Sequence, residues 1–380
     1  MQLITSIFNK NKTSIKKIIS SKRRNFNCKF NQNTPPLERM PEYTQKMIQV
    51  FLQHFSQKGY TMIPSVAITS GIDPTVRLIG SHVSPMKNYF IENKIPKNGL
   101  IMSQPCIRTH NLKKIFDDSS MPAWGSYFIS LGALVIPEKI SELCKDSLEY
   151  LLSILNIPAE NLILRINFAD SDLYSLAKKF AYLGISYDDS TMPEKYYRHK
   201  IGIEGIWGRN FNYAIKKDGI LYDIGNLIIL ESTAGKLGVE LALGTSTILK
   251  AFFSLPHVNS ANPIFGIEKI NNPLRFKFED AIITSSILFS EGLIPSASDS
   301  KGRTLRSYLR AIMYFKNKFK IQTKSIAKMM WQFENSQKIN HSGSNFIVSY
   351  IDKIEKEILL QNSLSNEEEL ILLEIKQNFT

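Results

Sequence analysis

Tyr43, Met47, Val50, Phe51 and Phe55 recur at the three-and-four spacing of a single helix face, and Gly59 ends that run. Apolar, β-branched stretches follow at Tyr60–Ile68, Leu100–Ile107, Tyr127–Ile136 and Leu162–Phe168, and each predicts a strand. Between the last two, Ile140–Leu155 carries leucines on one face and predicts a helix. Asp170–Leu183 predicts another, with Asp170 or Ser171 as its cap. Phe211–Leu230 predicts a hairpin that turns at Lys217-Asp218-Gly219, because Asp-Gly supplies the positive φ angles of a tight turn. After Glu240 the period changes. Helices are expected at Ser246–Ser254, Phe278–Gly292, Thr304–Phe319, Ser325–Glu334, Phe346–Leu360 and Glu367–Gln377. Strands followed by a run of helices predict an α+β domain joined to a helical one. The expected units are a leader at 1–39, a mixed domain at 40–244 and a helical domain at 245–380.

Composition changes this picture little. The 380 residues are 43% hydrophobic and 21% charged, which suits packed globular units rather than collagen-like, coiled-coil or disordered chains. No uncharged apolar run approaches the ~18 residues of a membrane span, so no membrane partner is expected. The three cysteines are scattered, without a CxxC pair, and a disulfide framework or a structural metal site is not expected.

Charge is more informative. Lys and Arg number 47 against 34 Asp and Glu, a formal balance of +13 that suits a polyanion such as RNA. Much of it lies in the first 37 residues, where Lys10, Lys12, Lys16, Lys17, Lys22, Arg23, Arg24 and Lys29 precede any acid. That basic, hydroxyl-rich segment has the composition of an organellar transit peptide, giving a mitochondrial matrix or other organellar destination as the expectation. The alternative is a basic tail, or a start at Met40, in a cytoplasmic protein.

Familiar catalytic signatures are missing. The sequence has no GxxxxGK[ST] loop, no GxGxxG after a strand, no HExxH and no GxSxG. The six histidines do not cluster at ligand spacing.

A series of short segments, in order, resembles the aminoacylation region of the alanyl-tRNA synthetase family, class II enzymes. Gly59-Tyr60, Pro64-Ser65 and Asp73-Pro74-Thr75 resemble its opening. Ser103-Gln104-Pro105-Cys106-Ile107-Arg108 is similar to its Q-x-C-I/V-R segment with the motif 2 arginine, and His110-Asn111 to an H-N pair in the following loop. Leu131-Gly132, Trp207-x-x-Asn210, Asn226 in GNLIILE, Val239-Glu240 with Gly244, and His257-Val258-Asn259-Ser260 fall in family order. Gly292-Leu293-Ile294-Pro295-Ser296 and Lys301-Gly302-Arg303-Thr304-Leu305-Arg306 resemble segments of its tRNA-binding helices. The resemblance runs from about residue 42 to 318. It implies a class II antiparallel sheet flanked by helices, then an all-helical domain. ATP with Mg2+ would be the cofactor, with the tRNA acceptor stem and a small amino acid, alanine by resemblance, as partners.

The resemblance carries roles to particular residues. Arg108 ends an apolar strand beside a polar loop, where a guanidinium can hold an α-phosphate bidentately; it is the candidate catalytic residue. His110, Asn111 and Gly244 join it as ATP-binding candidates. Trp207, Asn226 and Glu240 are the amino-acid-binding candidates, Glu240 pairing with the α-ammonium. Lys301, Arg303, Arg306 and Arg310 are the tRNA candidates, the three arginines sharing one helix face. The plain alternatives are a surface arginine, a solvated edge carboxylate, a core tryptophan and a solvated helix face.

The sequence also departs from the family. Thr247 stands where motif 3 ends in arginine. Ala123–Ser130 lacks the arginine, histidine and glutamate of the motif 2 return strand. Glu240 replaces an aspartate, and no GPCGP segment follows Trp207. No counterpart of the editing domain follows residue 320 in this sequence. Two functions are therefore expected to compete. One is an alanine--tRNA ligase-like enzyme without editing. The other is a catalytically inactive relative that binds tRNA or a protein.

Overall fold

The computed structural model describes residues 35–188 and 192–362. The basic leader up to residue 34 and the helix expected at Glu367–Gln377 lie outside the described residues.

Helix α1 (Met40–Gln57) buries Met47, Val50, Phe51 and Phe55, the stripe read from the sequence. Strand β1 (Thr61–Met62) is far shorter than expected. Pro64 has no N–H to continue a ladder, and the following backbone is satisfied by side chains instead. Val66 N donates to Gln104 Oε1, while Gln104 Nε2 donates back to Val66 O; Ile68 N and Thr69 N donate to the Glu291 carboxylate. Helix α2 (Val83–Ile91) then leads to β2 (Leu100–Ile107) and β3 (Tyr127–Val135). Helix α3 (Ile140–Glu149) runs into one π-helical turn, Tyr150–Ile154. Next come β4 (Leu162–Arg165), α4 (Ser171–Lys178), β5 (Ser186–Asp188), β6 (Arg198–Lys200), β7 (Ile206–Lys217), β8 (Ile220–Ser232) and β9 (Gly235–Gly244).

Among the described residues these strands form one nine-stranded sheet in the order β1-β2-β3-β9-β8-β7-β4-β5, with β6 paired to β7. Its centre is antiparallel, as expected. Each edge adds a parallel pair, β1 with β2 and β4 with β5. The reason is topological: α2 and α4 are crossovers, and a crossover returns the chain in the same direction. The expected hairpin turn is present, with Asp218 and Gly219 at φ 51° and 78°.

Helix α5 (Thr245–Phe253) packs on the sheet, and its Ile248, Leu249, Ala251 and Phe253 join the core formed by α1, α3 and the inner sheet face. Helices α6 (Arg275–Ser290), α7 (Ser300–Lys318), α8 (Thr323–Gln337) and α9 (Ser342–Asn362) build the helical region. Their core also takes in Ile68, Leu78, Ile107, Leu112, Ile115, Tyr127 and Ile129 from the first half of the chain. The two regions thus share apolar contacts across residue 244. Among the described residues no helix is long and apolar enough to cross a membrane.

Helix α6 is buried nearly all round, including Lys277, Glu279 and Asp280. Lys277 and Asp280 are hydrogen-bonded, but Glu279 Oε2 has no partner. Burial pushes the Glu279 carboxyl up to about 8 from 4.5. The folded state therefore prefers the proton. That contribution to stability is complete below the unfolded value and is lost as pH rises from 4.5 towards 8. Glu279→Gln should raise stability by up to about 4 kcal/mol at pH 8 and change it little at pH 4. Urea unfolding at the two pH values checks this; an equal effect at both would contradict it.

Candidate active site

Alternation along the strands sorts the sheet into two faces. One carries Leu131, Ala133, Leu227, Ile229, Leu241 and Leu243 into the main core. The other begins apolar under α2, with Met102, Leu134, Ile228 and Leu230. Towards the opposite strand ends it turns polar. There Gln104 pairs with Ser130, Ser130 with Gly244, Asn226 with Ala242, and Asn212 with Asn226. A polar, part-exposed sheet face beside a loop is where the candidate residues gather.

Arg108 follows β2 directly. Its backbone N donates to Ser126 O, its Nε donates to Gly80 O at 3.0 Å, and its guanidinium lies 4.9 Å from the centre of the Phe128 ring. The side chain is exposed, and among the described residues no carboxylate lies within ion-pair distance. Its charge reaches inward: it helps lower His82 and His199 and opposes the upward shift of Glu240. An arginine without a counter-ion on a polar sheet face is a ready anion site.

The loop after Arg108 is held from the helical side. Asn111 is buried and donates to Trp124 O at 2.9 Å, while His110 is exposed. Lys277 Nζ donates to Lys114 O, and His257 Nε2 lies 2.9 Å from Pro122 O. Ser126 N donates to Asp280 Oδ1 at 2.6 Å, and Tyr308 OH donates to Ser126 Oγ at 2.8 Å. Burial pushes Asp280 up to about 6 against the pull of these bonds. Gly125 is required there, since a Cβ would fall 2.3 Å from Asn259 Oδ1.

Gly244 lies at the end of β9 on the same face, and Thr247, in place of the motif 3 arginine, spends its hydroxyl on Gly244 O at 2.9 Å. Asn226 is on the face too. Its Nδ2 is 3.4 Å from His199 Nε2, and its Oδ1 is buried without a partner. Glu240 is on the face but beneath it, 2% exposed. Its Oε1 is 3.1 Å from His82 Nε2, at an angle poor for a straight hydrogen bond, and His82 Nδ1 is 2.8 Å from Ser130 Oγ. Burial drives the pair apart in pKa, Glu240 up to about 7 and His82 down to about 3. Glu240 is thus no solvated edge carboxylate but a largely buried one in the floor of the face.

Trp207 does not join the group. It is 38% exposed and shares its face of β7 with Arg209, which pairs with Asp172 and Glu231, opposite to Asn210 and Asn212. A pocket wall formed with Asn226 is therefore not what the structure builds.

The tRNA candidates lie along the start of α7, capped by Asp299 accepting from Gly302 N. Lys301 is turned inward, donating to Thr69 O at 2.5 Å. Arg303 is exposed and holds Ala297 O and Ser298 O, each at 3.2 Å. Arg306 and Arg310 are half-buried towards Tyr350, and Arg306 lines a cleft of about 530 Å³ with Ser296, Phe346, Tyr350 and Lys353. The arginine row therefore faces α9 as well as solvent.

His82, His199 and Asp280 are parts of the site that spacing did not reveal, since each meets its partners only across strand or helix packing. Among the described residues no three His, Cys, Asp or Glu side chains converge as a metal site.

The family-model match among the comparisons with known proteins falls on the Arg108 segment. The family model of tRNA synthetases class II (A) matches residues 46–118. Alanine--tRNA ligase of Acetivibrio thermocellus is 28% identical over 131 residues, 34% of this chain and 14% of that relative. The enzyme of the same name from Listeria welshimeri is 38% identical over 68 residues, 18% of this chain and 8% of that relative. The match thus spans only a small part of each relative. Among solved structures, aspartyl tRNA synthetase from Entamoeba histolytica aligns with 59% of this chain and 57% of its own, at TM-score 0.35 and 10% identity. The RNA binding domain of threonyl-tRNA synthetase from Cryptosporidium parvum Iowa II aligns with 77% and 90%, at TM-score 0.36 and 10% identity. The match over residues 46–118, which include Arg108, and these partial likenesses support a divergent alanyl-tRNA synthetase-like region in the chain.

Proposed function

We propose that the polar sheet face binds ATP with Mg2+ and activates a small carboxylic acid, alanine being the one the resemblance implies, for transfer to tRNA. The observation that carries this reading is Arg108: an exposed guanidinium without a carboxylate partner among the described residues, on the face where Asn226 and Gly244 also lie. ATP supplies an activated phosphorus and a good leaving group. The chain's part is to bind and orient: Arg108 neutralises phosphate charge, and Asn111 with Ser126 fixes the loop that aims it. Calorimetric titration of the full chain with ATP and Mg2+ tests the reading. No binding at millimolar nucleotide would refute it.

For tRNA, the support is the Arg303, Arg306 and Arg310 row at the start of α7. Changing all three to glutamine should weaken tRNA binding and flatten the log-affinity against log-salt line by roughly two to three, since each phosphate neutralised by an arginine adds about one to that slope. ATP affinity should not change. An unaltered slope would leave the row as a packing face for α9.

A second reading, a relative that binds tRNA without activating any acid, is favoured by two observations. Thr247 brings no charge to the site, and Glu240 is largely buried beside His82. ATP–pyrophosphate exchange with a panel of acids separates the two: nucleotide binding without exchange for any acid selects the second.

A further inference from the structure

Asn226 carries an acceptor to which nothing among the described residues donates: its Oδ1 is buried without a hydrogen-bond partner. Asn226 pairs with Ala242, two positions from Glu240, so the Asn226 and Glu240 side chains are diagonal neighbours on one face, about 7 Å apart. An unused acceptor beside a carboxylate suits a cation that brings several N–H donors.

An amide can lie either way round, and the neighbour that decides between the two is His199. Its Cα pairs with Gly208 on β7, which shares its face with Asn210 and Asn212, and Asn212 pairs with Asn226. The imidazole reaches over β7 because residue 208 has no side chain. A Cβ there would fall 3.2 Å from His199 Cβ and 2.7 Å from Ile228 Cγ2. Nε2 thereby comes 3.4 Å from Asn226 Nδ2. On the opposite face of β6, Arg198 holds both oxygens of Asp170, at 2.8 and 3.2 Å, and pins the short strand. Asn210 lies beside the ring, but its Nδ2 is spent on Asn212 Oδ1 and its Oδ1 closes no hydrogen bond. Burial, helped by the Arg108 charge, holds His199 below its ordinary 6.5, so the ring is neutral near pH 7 and one nitrogen keeps a lone pair.

We infer that His199 is a positioning residue: its Nε2 accepts from the Asn226 amide nitrogen, which leaves Asn226 Oδ1 turned to receive the α-ammonium of the amino acid. This rests on the reading of the polar face as an amino-acid-activating site and adds to it a residue that touches no substrate. Without an acceptor at position 199 the amide can turn over, and its N–H groups would then meet the ammonium, donor against donor.

Alanine and propanoate, which differ by the ammonium group, test this on the full chain by ligand-observed NMR. Wild type should bind alanine about tenfold tighter than propanoate or better, the loss expected for a hydrogen bond to a charged group. No such preference, absence of binding by both included, overturns the inference. His199→Leu should lose about tenfold for alanine and less than about twofold for propanoate. His199→Gln, whose Oε1 can replace Nε2 as acceptor, should keep most of the alanine affinity. Asn226→Ala should lose as much as His199→Leu, and combining the two should cost nothing further. Equal losses for both ligands, or additive losses in the double variant, overturn it. The ring needs no variant to be read: long-range 1H–15N spectra of wild type near neutral pH should show a proton on Nδ1 and a bare Nε2, and a proton on Nε2 overturns it as well. ATP titration is the separate readout. Absent nucleotide binding sinks the reading of the face, whereas ATP bound together with an alanine affinity that His199→Leu leaves unchanged sinks only this inference.

Discussion

Gly132→Ala should cost about 3 kcal/mol or more of folding stability, at the upper end of what overpacking a core usually costs. The added methyl would meet the His82 ring at 1.9 Å, inside a sheet whose backbone is bonded on both sides at this residue. Neither wall can retreat cheaply, because the ring is fully buried and held by Ser130. The double variant Gly132→Ala/His82→Ala should recover much of the loss, since removing the ring vacates the space the methyl needs. Urea unfolding midpoints of the two single variants and the double variant check this. Additive losses would mean that the ring does not set the requirement for glycine.

Arg108→Ala should weaken ATP binding about 100-fold, roughly 3 kcal/mol, while leaving the melting temperature within a few degrees of wild type. The contrast follows from its contacts. In the folded chain it makes one side-chain bond, to Gly80 O, and one ring contact, to Phe128, each contributing about 1 kcal/mol. Towards a phosphate it offers a planar fork, so Arg108→Lys should recover only part of the affinity. Calorimetry and thermal unfolding of the same samples distinguish the outcomes. A variant that melts far lower and still binds ATP would make Arg108 a packing residue.

Local chemistry accounts for most of what the sequence made legible. The Asp218-Gly219 turn, the α1 stripe and the end of β2 at Arg108 depend on residues close in the chain, and each is found where expected. The strand expected at Tyr60–Ile68 fails because side chains distant in sequence, Gln104 and Glu291, take over its backbone groups. Helix α6 shows the same limit: its polar Lys277 and Asp280 look solvent-facing in sequence, yet they are buried against loop carbonyls and Ser126. Trp207 was readable. It stands three positions before Asn210, and in a strand an odd spacing puts two side chains on opposite faces. His82 was not readable, since its three neighbours come from β3 and β9, far along the chain.

The shared apolar contacts across residue 244 have a consequence for how the chain comes to be folded. Strand β9 lies between β3 and β8, so the sheet cannot close until residue 244 has been synthesised. Ile68, Leu78, Ile107 and Tyr127 then wait longer still, for partners reaching Ile351. During synthesis these side chains lack their helical partners, and pairing over such sequence distances is intrinsically slow. A fragment ending at 244 should expose that half of the second core and aggregate rather than fold, so the Arg108 loop acquires its fixed shape only when α6 and α7 dock.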